Sequence, residues 1–302
     1  MSFSGRYAVI VVGGYDKHDN DDTSRVEILQ DNKDANCHVP HFPMKTGTGP
    51  VMFQHKKIIY LCGGYPTNRE CWKLVDKKWV LSSNKLKRDR REATSVTMNN
   101  GIYILGSNTY NSNNSNSSEF LSKDSDHWVN GPPLGFASFR NCAVKITEDT
   151  LVLIGRRNYK NIRAYALLNT TSKEWSNKGV LGAPPTYPRS RHKCDVFNKK
   201  IIVTGGRGLG PDDTEKTTDI IDISQTQWQY RRGGNMTFGR FSHGMAIIDL
   251  DGKSTLCVFG GESDIVEIWD DKSETWSTTN KLRFFERRDF GYVTVEKEVL
   301  NC

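Results

Sequence analysis

The sequence predicts an all-β fold built from six small sheets arranged in a ring, and three observations carry that reading. A glycine mark closes an apolar run six times, led by Gly13, Gly63, Gly106, Gly155, Gly205 and Gly260. Successive marks stand 43 to 55 residues apart. A period of this length on β-type segments is the signature of a propeller with one sheet per repeat. Trp79, Trp128, Trp175, Trp228 and Trp276 follow the later marks by about twenty residues each. A large aromatic at one place in every sheet fills the wedge between neighbours. Hydrophobic content is 36%, delivered in short runs that suit thin strands better than amphipathic helices.

The elements follow in order. The blades are expected at 6–40 plus 287–295, 47–82, 90–131, 139–180, 189–234 and 239–280, each a four-stranded antiparallel sheet. In the first, residues 6–14 read as a second strand with no first strand before them. Residues 287–295 read as a first strand with no second after them. Pairing the two closes the ring and removes the open edges that template aggregation. In the second blade, Ile58 to Cys62 run into Gly63-Gly64, and Asp76-Lys77-Lys78 turn the chain before Trp79. The third carries Ile102 to Leu105 and keeps one glycine in Gly106-Ser107. Its Asn/Ser-rich insert at 108–118 is expected to be a mobile, solvent-exposed loop. The fourth carries Leu151 to Ile154 and ends on Gly155-Arg156. The fifth is the clearest, with Ile201 to Thr204 as a strand buried on both faces before Gly205-Gly206. The sixth runs Leu256 to Phe259, Gly260-Gly261, a polar turn and Trp276.

Composition narrows the class. A chain of 302 residues suits one closed ring, since each sheet packs only on its neighbours. No stretch approaches the eighteen or so consecutive apolar residues of a membrane helix. The first residues hold no apolar signal core, so a non-secreted, cytoplasmic or nuclear protein is expected. The seven cysteines, odd in number and scattered, read as small hydrophobes in a reducing compartment. The net charge of +7 favours acidic partners without reaching the density of a nucleic-acid binder. The basic runs near Lys85 to Arg91 and Arg283 to Arg288 lie at inter-blade connections and read as a solvated rim.

The paired glycines, the downstream tryptophan and an arginine opening the first strand resemble the kelch repeat family over almost the whole chain. Two blades keep one glycine, and the first has Cys37-His38 where a tryptophan is expected. The resemblance implies a single propeller domain across 1–302 that binds a peptide or protein partner on one face. Many kelch propellers are substrate receptors of cullin-type ubiquitin ligases, usually behind a BTB and BACK region. The chain has no room for either, so it reads as a stand-alone or excised propeller. Actin binding is a second role the resemblance allows. A third is an enzyme similar to sialate mutarotases or specifier proteins. The specifier iron pattern starts at Glu215 and Asp219 but ends on Ile223. His38 and His41 form the one close histidine pair, and neither a metal nor another cofactor is expected. No catalytic residues are assigned.

Two sets of residues are candidates for partner contact. Arg90, Arg140, Arg189, Arg240 and Arg287 precede the buried strands by about twelve residues, on one face near the axis. In peptide-binding kelch proteins that resemble this one, arginines here line the channel mouth. Guanidinium groups there would make forked bonds to carboxylates. The alternative is that they brace neighbouring blades through backbone carbonyls. Tyr15, Tyr65, Asn108, Arg157, Arg207 and Glu262 start the loops after the glycine marks on the same face. This mixture of aromatic and arginine groups is of the kind enriched at binding hot spots.

Overall fold

The computed structural model describes residues 7–31, 39–108, 115–134, 136–157, 162–176, 189–208 and 214–300. Strands dominate them, with one short 3-10 turn at Lys297–Leu300. Five sheets are four-stranded and antiparallel, each formed by consecutive strands. We number the sheets in chain order. Sheet 2 holds Val51–His55, Ile58–Cys62, Cys71–Val75 and Lys78–Leu81. Sheet 3 holds Thr94–Met98, Gly101–Leu105, Ser118–Ser122 and Trp128–Asn130. Sheet 4 holds Cys142–Lys145, Thr150–Arg157, Ile162–Asn169 and Glu174–Ser176. Sheet 5 holds Lys193–Phe197, Lys200–Thr204, Thr218–Asp222 and Gln229–Arg232. Sheet 6 holds Gly244–Leu250, Lys253–Phe259, Val266–Asp270 and Thr275–Thr279.

Sheet 1 joins the two ends of the chain. Gly291–Glu296 pairs antiparallel with Tyr7–Val12, from Tyr7 opposite Glu296 to Val12 opposite Gly291. Val26–Leu29 adds on the other side of Tyr7–Val12. This sheet is three-stranded among the described residues, where four strands were expected. Cys37 and His38, at the expected fourth strand, lie outside the described residues. Tyr15–Asp16, Asp21–Asp22 and Arg287–Arg288 form a short three-stranded extension at its rim.

Six apolar clusters fill the spaces between sheets. Ala8, Ile10 and Val295 of sheet 1 meet Met52, Leu61 and Trp79 of sheet 2. Trp128 closes the cluster between sheets 2 and 3, and Trp175 packs on the one between sheets 3 and 4. Trp228 and Trp276 do the same between sheets 4 and 5 and between sheets 5 and 6. Each tryptophan faces the preceding sheet. The sixth cluster brings Ala246, Cys257 and Phe259 of sheet 6 against Val9, Val11 and Leu29 of sheet 1. It has no tryptophan. Phe259, Phe284 and Phe290 fill that wedge instead, with ring centroids 5.2 to 5.8 Å apart. Such contacts add about 0.5–1.5 kcal/mol each beyond area burial.

The glycine mark is a clamp between sheets. Gly205 takes φ +60°, and a Cβ there would stand 2.4 Å from the Arg240 carbonyl oxygen. Only glycine tolerates both conditions. The next N–H, of Gly206, donates to that carbonyl at 2.7 Å. Gly64 donates likewise to Arg90, and Gly261 to Arg287.

Two expectations fail on the described residues. Four cysteines are bonded in two disulfides, Cys62–Cys71 within sheet 2 and Cys142–Cys194 between the first strands of sheets 4 and 5. Strand pairing places Cys62 opposite Cys71, and adjacent first strands place Cys142 beside Cys194. Cys257 is a free, buried thiol. The Asn/Ser insert is also not wholly a solvent loop. Ser115 and Ser118 are buried, and the Ser117 carbonyl accepts the Gly106 N–H at 3.0 Å. Residues 109–114 lie outside the described part.

Candidate functional site

Four of the five arginines expected at the mouth are internal braces. Arg90, Arg189, Arg240 and Arg287 are all buried. Arg90 donates to Glu119 at 2.9 Å and to the Gly106 and Ser117 carbonyls at 2.9 and 3.0 Å. Arg240 donates to Glu267 at 3.0 Å and to the Gly260 carbonyl at 2.8 Å. Arg189 bonds Asp219, and Arg287 lies 2.7 Å from Glu27. Each acid sits on the third strand of the same sheet. Three of them also hold the loop that delivers the arginine. Glu119 accepts the Lys87 and Arg88 N–H groups, Glu267 those of Thr237 and Phe238, and Glu27 that of Phe285. Burial pushes Arg90 and Arg240 below the ordinary guanidinium range, and Glu119 and Glu267 pull them back. Burial takes Arg287 down to about 10. These guanidiniums point into the sheets and have no surface to offer a partner.

Arg140 does not share that position. The brace stands four residues before the first strand in sheets 3, 5, 6 and 1, and in sheet 4 that place belongs to buried Ser138. The Ser138 carbonyl accepts the Ser107 N–H at 3.0 Å, as Arg90 accepts Gly64. Arg140 is two residues on, at a position that recurs in every sheet as Gly49, Glu92, Arg140, Arg191, Ser242 and Asp289. All six have φ between 49° and 61°. For five of them this is left-handed backbone on a residue with a side chain, which costs of order 1 kcal/mol apiece. Their N–H groups bond in sequence. Glu92 donates to Gly49, Arg140 to Glu92, Arg191 to Arg140, Ser242 to Arg191, Asp289 to Ser242 and Gly49 to Asp289, over 2.7 to 3.1 Å. The sixth bond returns to the residue that accepted the first. This circuit rims a small pocket lined by Glu92, Arg140, Arg191, Lys193, Ser242 and Asp289 among others.

Acidic and basic side chains pair around the rim. The Glu92 carboxylate takes Arg140 at 2.7 Å and Arg191 at 3.0 Å on one oxygen, and Asn108 on the other. Arg191 approaches Asp289 at 3.8 Å, and Arg288 lies 3.6 Å from Asp289 and 2.7 Å from Glu262. Burial lowers the Arg191 pKa, opposed by Asp289 and Glu92. The guanidiniums also lie over aromatic rings. Arg207, Arg288 and Arg191 stand 4.0, 5.4 and 5.6 Å from the buried Phe241 ring. Arg288 covers Tyr15 at 4.2 Å, and Arg91 covers Tyr65 at 5.0 Å.

The structure therefore brings together Arg140, Asn108, Arg207, Glu262 and Tyr15 through Glu92, Phe241 and Arg288. Tyr65 stands on the same rim beside Arg91 and is 51% exposed. Arg157 ends its strand, and its side chain lies outside the described part. Glu92, Arg191, Lys193, Ser242 and Asp289 were missed from sequence. Counting back from the strand start, rather than matching arginine to arginine, would have aligned them. The histidines one residue before the first strands of sheets 5 and 6 are buttresses. His192 Nε2 meets the Ile154 carbonyl at 3.1 Å, and His243 Nε2 meets Thr204 Oγ1 at 2.9 Å, each across a sheet boundary. Burial, then Arg189, takes His192 down to about 3, and burial, then Arg240, holds His243 well below the usual range. Both are neutral spacers at pH 7. Among the described residues no three histidine, cysteine or acidic side chains gather as metal ligands, and no helix is long and apolar enough to cross a membrane.

Comparison with known proteins gives two relatives from Caenorhabditis elegans. Kelch repeat-containing protein kel-10 is 26% identical over 140 residues, 44% of this chain and 23% of that protein. A Kelch repeat and BTB domain-containing protein is 25% identical over 138 residues, again 44% of this chain and 23% of the relative. The match thus spans less than a quarter of either relative's length. No protein-family description matches the chain.

Proposed function

We propose that this chain, which resembles kelch-repeat proteins, is a protein-interaction module of six blades closed into one ring, and that its rim of left-handed residues receives a segment of a protein partner. Six apolar clusters alternating with six sheets, the pairing of Gly291–Glu296 with Tyr7–Val12, and the six-bond backbone circuit support the closed ring. Residues 1–302 form a single domain in this reading. The observation that carries the function is the circuit itself. Five side-chain-bearing residues hold unfavourable backbone so that Glu92, Arg140, Arg191, Ser242 and Asp289 face one opening. Strain of this kind persists where the surroundings enforce it and clusters at binding sites. Tyr65 and Arg91 extend the rim with an exposed aromatic and a guanidinium, residue types enriched at hot spots.

The partner segment carries acidic side chains in this reading. A ligand carboxylate can take over the Glu92 oxygen's place on Arg140 and Arg191 and so exchange one charge-assisted pair for another. The one relative whose name joins kelch repeats to a BTB domain makes substrate capture for a ubiquitin ligase the most specific role to test. The test is a selection of displayed 12-residue peptides on the intact chain, followed by titration of the winners. Winners rich in Asp and Glu should lose at least about 10-fold affinity on Arg191→Ala and on Tyr65→Ala, a typical hot-spot loss. Lys253→Ala, at the exposed start of the second strand of sheet 6, should leave them unchanged. Winners with no acidic bias, or equal binding to all three variants, would reject the reading.

A further inference from the structure

Below the rim lies a second, larger space that the binding of a partner does not use. Its volume is about 310 Å³, and its walls include Phe53, Thr94, Thr97, Lys193, Asp195 and Tyr292, from first strands and their flanks. That volume falls at the lower end of small-molecule sites. It is continuous with the rim pocket, since Pro50, Ala93, Lys193 and Phe290 line both. Lys193 therefore stands at the neck between the opening and the interior.

Lys193 is the one lysine among the residues that line this space. Its Nζ sits 5.3 Å from the centroid of the Tyr292 ring. Among the described residues no carboxylate comes within ion-pair distance of it, whereas Arg140, Arg191 and Arg288 at the rim all have such partners. The groups that face it are Asp289 from the link before the closing strand, Tyr292 from that strand, His243 from the residue before sheet 6, and Arg191, His192 and Asp195 from its own segment. Asp195 follows by two residues and so shares the channel face of the strand. Burial lowers the Lys193 ammonium to about 8 against an opposing pull from Asp289, and burial raises Asp195 to about 6.

We propose that the channel is a capture site for small aldehydes, with the Lys193 amine as the group that bonds them. The neutral amine adds to the carbonyl carbon to give a carbinolamine. The carbon–oxygen bond then breaks, both amine hydrogens leave with that oxygen as water, and a carbon–nitrogen double bond remains. No oxidant or reductant enters. Thr94 and Thr97 put hydroxyl-bearing residues on the wall of the same space, and Phe53 and Tyr292 put aromatic rings there.

A lysine at about 8 holds on the order of 200 times more neutral amine at pH 7 than an ordinary one. Lower basicity removes about a factor of ten of that in nucleophilicity. The experiment is reductive trapping with propanal and cyanoborohydride on the intact chain at pH 7, followed by peptide mapping. Lys193 should acquire its propyl group about 20-fold faster than exposed Lys253 or Lys272, with a labelling midpoint near pH 8. Lys193→Arg, which keeps the charge, should lose the fast-labelling peptide. Labelling of Lys193 no faster than the exposed lysines, or a midpoint near theirs, would overturn the proposal. The outcome is separable from partner binding, because Arg191→Ala leaves the amine in place and Lys193→Arg leaves the rim in place.

Discussion

The buried arginine–acid brace gives the sharpest test of how the sheets are held. Arg240→Ala removes a guanidinium whose side chain, like that of Glu267, is 0% exposed. It orphans the Gly260 and Ile265 carbonyls, which now accept from that guanidinium. It also leaves the Glu267 carboxylate buried without its counter-charge. Breaking a buried pair by removing one partner costs about 3–5 kcal/mol. Glu267 keeps the Thr237 and Phe238 N–H groups, at 2.6 and 3.3 Å, so the lower half of that range is expected. Arg191→Ala is the contrast. Its side chain is 18% exposed, and its partners Glu92 and Asp289 retain Arg140 and Arg288, so about 1 kcal/mol or less is expected. Urea unfolding followed by tryptophan emission reads both. Trp269 and Trp276, 5.1 Å apart in sheet 6, report on the sheet that Arg240 braces. Arg240→Met combined with Glu267→Gln should recover part of the loss, because the neutral amide still accepts backbone N–H groups. Arg240→Ala within about 1 kcal/mol of the parent, or Arg191→Ala as costly as Arg240→Ala, would refute the brace.

Two further predictions follow. Non-reduced digestion should recover Cys142 linked to Cys194. Since 52 residues separate them, loss of this bond by the paired serine variant should destabilise by roughly 4 kcal/mol, against roughly 3 for Cys62–Cys71 with a separation of 9; two free thiols in each pair would show the sheets to be held without them. On acidification from pH 6 to pH 4, unfolded His192 and His243 take up protons that the folded chain refuses, while folded Asp195, at about 6, takes up one that the unfolded chain lacks. The balance is one proton toward the unfolded state, so these three groups lower stability by about 1.4 kcal/mol per pH unit as pH falls. His243→Gln should flatten the urea midpoint against pH by that amount, and an unchanged slope would place His243 in water.

The repeat was legible because it is written in backbone constraints. A glycine at φ +60° facing a carbonyl 2.4 Å from its missing Cβ has no substitute, so Gly205 and its counterparts mark every sheet that keeps them. The tryptophans were legible for a similar reason, since each fills one wedge of fixed size. Where three phenylalanines fill the wedge instead, at Phe259, Phe284 and Phe290, residue type no longer announces position. The cysteines were misread for want of register. Cys62 and Cys71 look scattered until strand pairing sets them opposite each other.

The site was less legible, because side-chain identity was used where offset from the strand decides. An arginine four residues before the first strand finds an acid on the third strand of its own sheet, and one two residues before it stands at the opening. Arg189 and Arg191 lie in one short segment and have opposite fates, the first bound to Asp219 and the second to Glu92 at the rim. The acids were also unread, although Glu119, Asp219 and Glu267 follow their arginines by 29, 30 and 27 residues, one per repeat. A recurring arginine answered by a recurring acid at constant separation indicates an internal pair. A position whose residue changes from sheet to sheet while its backbone stays left-handed has been released from the scaffold. Glycine, glutamate, arginine, arginine, serine and aspartate share that position here, so the fold fixes their direction and leaves their chemistry free. In the proposed binding role that freedom is what the rim requires, so Arg191→Ala, rather than Arg189→Ala, is the variant expected to change partner choice without unfolding the chain.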